Sequence, residues 1–142
     1  SGTSKKMDFK YLMQTDKISL SNAEAQALNS TPKTLVGALS GYMITVYNVT
    51  MLCTYASDTE SANKYLYLGY DDSSNTEYWQ AQRAFMNTLT TNNTYSFGGV
   101  PGALGTLEGS TLNKPFIMWA SGAFNGGWTA DVYVTYAYTK VL

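Results

Sequence analysis

Residues 131–139 read DVYVTYAYT, and their alternation decides the fold class. Val132, Val134, Tyr136 and Tyr138 fall on one parity, whereas Asp131, Tyr133, Thr135, Ala137 and Thr139 fall on the other. A side-chain period of two marks a strand with one face in a core and the other turned to solvent. Further back, residues 42–55 (YMITVYNVTMLCTY) form a second long β segment. There Ile44 and Val46 hold one parity, and Val49, Met51 and Cys53 then take the apolar role in the opposite one. A one-residue change of phase inside a strand predicts a bulge, or a strand passing from one sheet to another. Lys64 to Tyr70 alternates Leu66 and Leu68 with Tyr65 and Tyr67, and Pro115 to Trp119 is an apolar run of strand length. Asp16 to Leu20 and Lys33 to Ala38 are weaker strand candidates.

Turn signals separate these segments: Ser57-Asp58, the run Asp71-Asp72-Ser73-Ser74-Asn75, Asn92-Asn93, and a glycine-rich region over 98–127. Short strands between polar turns imply an all-β sandwich. Two segments depart from period two. Tyr78, Ala81, Gln82, Phe85, Met86 and Leu89 have helical spacing and predict a short helix within 77–89. Ser21 and Glu24 have the spacing of a capping box and predict a turn of helix over 21–28. A chain of 142 residues suits one domain. The expected organisation is an N-terminal arm over 1–17 and a single sandwich domain over 18–142.

The charge is uneven. Residues 1–17 hold Lys5, Lys6, Lys10 and Lys17 against Asp8 and Asp16, net +2, and the remainder holds five basic against eight acidic groups, net −3. An arm of this kind, with Lys5, Lys6, Phe9, Lys10 and Tyr11 as its contact residues, is expected to lie across a neighbouring subunit or another acidic surface. The overall balance of −1 offers no positive field to release counterions from a phosphate backbone, so nucleic acid is not an expected partner. No run reaches the roughly 18 to 20 apolar residues of a membrane span, so no membrane partner is expected. Charged residues make up only 13% of the chain, and Thr, Ser, Asn and Tyr cover the surface in their place.

The absence of histidine removes imidazole bases, Ser-His-Asp and Cys-His catalysis. A lone Cys53 excludes an intrachain disulfide and fits a reducing compartment. Asp71, Asp72 and Glu77 gather carboxylates, yet counting from Asp71 they place Thr76 and Gln82 where a calcium loop needs Gly and Glu, which leaves a solvated turn. Gly98-Gly99-Val100-Pro101-Gly102 lacks the lysine and following helix of a phosphate loop. No catalytic residue, metal site or cofactor is therefore expected. The remaining binding chemistry is aromatic: Trp79, Trp119, Phe124 and Trp128, three of them beside glycine turns, are candidates for stacking on a ligand, against the plainer alternative of packing in the core or at a subunit contact.

Two stretches also carry a resemblance. Residues 17–57, KISLSNAEAQALNSTPKTLVGALSGYMITVYNVTMLCTYAS, and residues 113–141, NKPFIMWASGAFNGGWTADVYVTYAYTKV, resemble the opening and close of small virion structural proteins of tailed bacteriophages. The shared features are an Ile-Ser strand, a Leu-Asn-Ser-Thr-Pro turn, a long hydrophobic strand, an Asn-Lys-Pro turn and a final Val-x-Val-x-Tyr strand. Two turns depart from the class: Ser40-Gly41-Tyr42 replaces a turn with Pro and a Gly-Lys pair, and Asn125-Gly126-Gly127-Trp128 replaces an acidic Gly-Asp-Gly. The resemblance implies a jelly-roll sandwich in head-decorating or cement proteins, head fibres or tail attachments, commonly trimeric. It implies no enzyme, a location in the virion after assembly in the host cytoplasm, and a major capsid or tail protein as partner. The expected function is a capsid decoration or cement subunit. The alternative is a receptor- or carbohydrate-binding head of a fibre or tail, with the four aromatic residues above as its stacking surface.

Overall fold

The structure, a computed structural model, describes residues 12–71, 75–81, 85–99 and 108–141. Eight strands follow one another along the chain: β1 (Gln14–Leu20), β2 (Lys33–Val36), β3 (Tyr42–Tyr55), β4 (Leu66–Tyr70), β5 (Thr76–Gln80), β6 (Asn93–Gly98), β7 (Phe116–Ala120) and β8 (Trp128–Lys140). They form two four-stranded antiparallel sheets, in the orders β1-β8-β3-β6 and β2-β7-β4-β5. The fold is all-β, a sandwich with little helix. Seven of the eight strands have a partner distant in sequence, and β5 pairs with its hairpin neighbour β4, so neither sheet completes without the whole domain.

The core follows from the alternation. Val132 and Val134 of β8, with Ile44, Val49, Met51 and Cys53 of β3, turn inward from the first sheet and are buried. Leu66 and Leu68 of β4, with Phe116 and Met118 of β7, meet them from the second. The phase change in β3 is a bulge: Val46 pairs with Tyr136 and Asn48 with Thr135, which leaves Tyr47 as the extra residue on the strand. The bulge resets the parity so that residues on both sides of it point into one core. β3 therefore stays within a single sheet along its whole length.

The capping box forms as the spacing predicts. In α1 (Asn22–Gln26) the Ser21 hydroxyl accepts from the Glu24 N–H at 3.2 Å, and the Glu24 carboxylate accepts from the Ser21 N–H at 3.1 Å. Ser21→Ala is expected to lower stability by about 1 kcal/mol, read as a shift in denaturation midpoint; an unchanged midpoint contradicts the cap's role.

The helix expected within 77–89 does not form. Thr76–Gln80 is β5, paired to β4 with a shift of register between Leu68 and Gly69. Met86 and Thr88 both have positive φ, 59° and 61°, which a right-handed helix excludes; residues 82–84 are outside the described set. The helical spacing arises because an edge strand with an irregular register runs into a strained turn. β6 follows the Asn92-Asn93 turn signal with no strand expected there, yet Tyr95 and Phe97 turn toward the core and Thr94 and Ser96 away from it.

The expected arm boundary also moves. β1 begins at Gln14 and pairs residue by residue with Tyr133–Tyr136 of β8 over positions 14–17. Asp16 accepts the Tyr136 hydroxyl at 2.6 Å, which fixes this part of the segment to the sheet. Lys5, Lys6, Phe9, Lys10 and Tyr11 lie outside the described residues.

Candidate functional site

Three of the four candidate stacking rings are interior. Trp128 is 1% exposed, Phe124 2% and Trp79 7%. Trp128 opens β8 on its inward parity and packs edge-on against Phe124 and Phe85, with centroids 5.5 Å apart in both pairs. Trp79 lies against Tyr78 at 4.5 Å and donates its indole N–H to the Gly99 carbonyl at 3.2 Å. These side chains have no ring face left for a ligand. Glycine-flanked aromatics look like loop tips in sequence; here the glycines serve instead to let the loop approach the rings.

What holds the Trp128 end together is Glu60, a residue with no motif around it. Its side chain is 1% exposed, and it accepts hydrogen bonds from the N–H groups of Ala62 (3.0 Å), Asn125 (3.0 Å) and Gly126 (2.9 Å) and from the Trp128 indole (3.0 Å). Burial alone would raise its pKa, but these donors together hold it below the ordinary value of 4.5. Gly126 is required by the close approach: a Cβ there would lie 2.9 Å from the Glu60 backbone. The carboxylate thus ties the connection before β4 to the one before β8. It accepts four fixed donors and has no free lone pair directed at solvent, which makes it a structural group and leaves it no open position for a substrate.

Two other reactive groups are likewise buried or engaged. Cys53 is buried, and burial pushes its thiol up to about 12. Native protein is expected to resist an aromatic disulfide reagent at neutral pH and to react fully in denaturant; rapid native labelling contradicts this. Glu24 is held down to about 2, chiefly by its hydrogen bond with Lys33 and then by those from Ser21. Asp71 and Glu77 are exposed, and Asp72 lies outside the described residues. Among the described residues no three His, Cys, Asp or Glu side chains gather into a metal-binding group, and no helix is long and apolar enough to cross a membrane.

The two outer faces differ. On the second sheet Trp119 remains half-buried in a row with Tyr67 and Tyr65. Ring centroids are 5.4 Å apart at 30° and 6.0 Å apart at 24°. Near-parallel rings this close are stacked and offset, so the row turns its faces on itself. Burial, the nearby Glu77 carboxylate and Tyr65 push the Tyr67 phenol up.

The outer face of the first sheet is a field of hydroxyls: Thr15 and Ser19 on β1, Thr129, Tyr133, Thr135 and Thr139 on β8, Thr45, Thr50 and Thr54 on β3, Thr94 and Ser96 on β6. Several pair laterally, Thr15 with Thr135 at 2.8 Å, Thr45 with Thr139 at 2.5 Å and Ser19 with Asp131 at 3.0 Å. Lys17 and Asp131 bring opposite charges within 3.6 Å of each other on this face. Leu52 and the bulge residue Tyr47 stand out of it, 42% and 47% exposed. Sequence reasoning found the bulge but not what it does, since only the register shows that Tyr47 is displaced to the solvent side.

No protein-family profile matches the chain, and no curated protein matches it. Among solved structures the chain is similar to one in the cyanophage Pam1 capsid asymmetric unit, at 14% identity and a TM-score of 0.48, covering 95% of this chain and 91% of that one.

Proposed function

We propose that this protein is a non-enzymatic virion structural subunit of jelly-roll type, a decoration or cement protein that binds a capsid surface and neighbouring subunits. The observation that carries the reading is the strand order. A jelly roll is two interleaved Greek keys in eight strands. The orders 1-8-3-6 and 2-7-4-5 arise when a long hairpin of strand pairs 1·8, 2·7, 3·6 and 4·5 is wrapped into two layers. This order supports the jelly-roll architecture that the resemblance of residues 17–57 and 113–141 implies.

The surface chemistry agrees. An outer face with few charges, on which several hydroxyls already pair laterally, can be desolvated at lower cost than a charged one. Such a face suits lateral protein contact better than chemistry on a small molecule. The partner is a major capsid or tail protein, and the location is the virion.

Purified virions of the phage that encodes the chain test this. A stained gel is expected to show the protein at a copy number comparable to that of the shell subunit. Absence from particles overturns the reading, and a handful of copies per particle points to a fibre or tail tip instead of decoration.

A further inference from the structure

The large apolar side chains exposed among the described residues are Leu12, Met13, Tyr47, Leu52 and Val141. Two of them belong to the first sheet and the other three flank its strands. Tyr47 and Leu52 stand on the outer face of β3, Leu12 and Met13 lead directly into β1, and Val141 continues β8, its N–H donating to the Gly41 carbonyl at 3.1 Å. None lies on the second sheet. Single exposed apolar residues are ordinary, but a one-sided distribution marks a contact surface.

We infer that the outer face of the sheet β1-β8-β3-β6, anchored by Tyr47 and Leu52, is the surface on which copies of this chain associate. The inference rests on the reading of the chain as a multi-copy structural subunit and adds the partner and the face. A second copy fits for three reasons. The first is area. Strands of 13 and 14 residues flanked by strands of 7 and 6, at about 3.3 Å rise and about 4.8 Å spacing, present on the order of 650 Å². This approaches the roughly 800 Å² that each partner gives to a standard protein interface.

The second is anchoring. The bulge displaces an aromatic ring outward at the middle of the longest strand, about 16 Å from an exposed leucine by strand rise, and buried aromatic anchors surrounded by polar contacts are how interfaces hold. The third is charge. Lys17 and Asp131 give the face one charge of each sign, so like faces need not repel.

Sedimentation of the full chain tests the face. The wild type is expected to associate reversibly at micromolar concentration, and Y47K/L52K to remain monomeric, with association weakened at least 100-fold and an unchanged circular-dichroism spectrum. Y47T/L52T, which keeps strand-forming residues like their neighbours, is expected to weaken association too and serves if the charged pair fails to fold. T34K, at an exposed site on β2, is expected to associate like the wild type. A monomeric wild type, association that survives both double variants, or equal loss in T34K each overturns the inference. Particle occupancy is measured separately: a monomer found at high copy number on virions overturns this inference alone, whereas an oligomer built through this face but absent from virions overturns only the virion reading.

Discussion

Replacing Glu60 by glutamine is expected to lower the free energy of unfolding by about 3 to 5 kcal/mol, because buried donors that lose an ionised acceptor keep their full desolvation cost. Four N–H groups converge on the two carboxylate oxygens. A glutamine amide offers one acceptor oxygen and turns its NH₂ toward donors that cannot accept it. Glu60→Ala removes both oxygens and opens a void beside Trp128 as well, so it is expected to cost at least as much. Equilibrium denaturation of the two variants measures the effect; a loss below 1 kcal/mol would show that the connection before β8 is held by something else.

The same group gives the protein an acid limit. The native pKa of Glu60 lies below its ordinary value of 4.5, so the folded state holds fewer protons than the unfolded state in that range. Its contribution is complete above the ordinary carboxylate pKa and disappears as pH falls through the lowered native value. Glu24, held down to about 2, adds in the same direction. Wild-type melting midpoints are therefore expected to fall on acidification below pH 4.5, and E60Q to show a shallower fall from a lower plateau. Parallel curves for the two proteins would contradict the assignment.

Gly69→Ala is the second large effect, expected at about 3 kcal/mol or more, at the upper end of overpacking costs. A Cβ at Gly69 would lie 2.0 Å from the Thr76 carbonyl oxygen and 2.9 Å from its carbon. Both are backbone atoms of the paired strand β5, so no rotamer change relieves the overlap. The site sits at the register shift between Leu68 and Gly69, where the bulge brings two main chains closest. Loss of β5 pairing removes one edge of the second sheet and exposes Trp79. The expected readout is a lower denaturation midpoint with increased indole fluorescence quenching by iodide; an unchanged midpoint would show that the strands separate freely.

Much of this was legible in the sequence wherever one face of a strand is fully buried. β8 and β3, which hold the centre of the first sheet, declare themselves by alternation, and even the phase change at Val46–Asn48 follows from the parity of Ile44 and Met51. The edge strands β5 and β6 were not legible, because an edge strand is half-solvated and its apolar residues serve one side of a sheet margin only. Tyr78, Trp79 and Phe85 therefore imitate a helix.

Glu60 was invisible for a different reason: an acid between Thr59 and Ser61 reads as a solvated turn, and its donors at 125, 126 and 128 lie more than sixty residues away. The Asn125-Gly126-Gly127-Trp128 turn was conspicuous, but nothing local indicates that its open N–H groups face a carboxylate. The aromatic ligand surface failed on the same point. Glycine beside tryptophan signals close packing as readily as exposure, and only the distance to Glu60 distinguishes them.

The pairing of the first strand with the last has a mechanical consequence. Gln14 lies opposite Tyr136, so the chain enters β1 and leaves β8 at the same corner of the sheet. Tension applied through those two ends pulls the antiparallel rungs apart one after another, beginning at that corner, instead of shearing them together. The domain is accordingly expected to peel at low force when stretched end to end, and to resist far better when load reaches it through the broad outer face of β3 and β8.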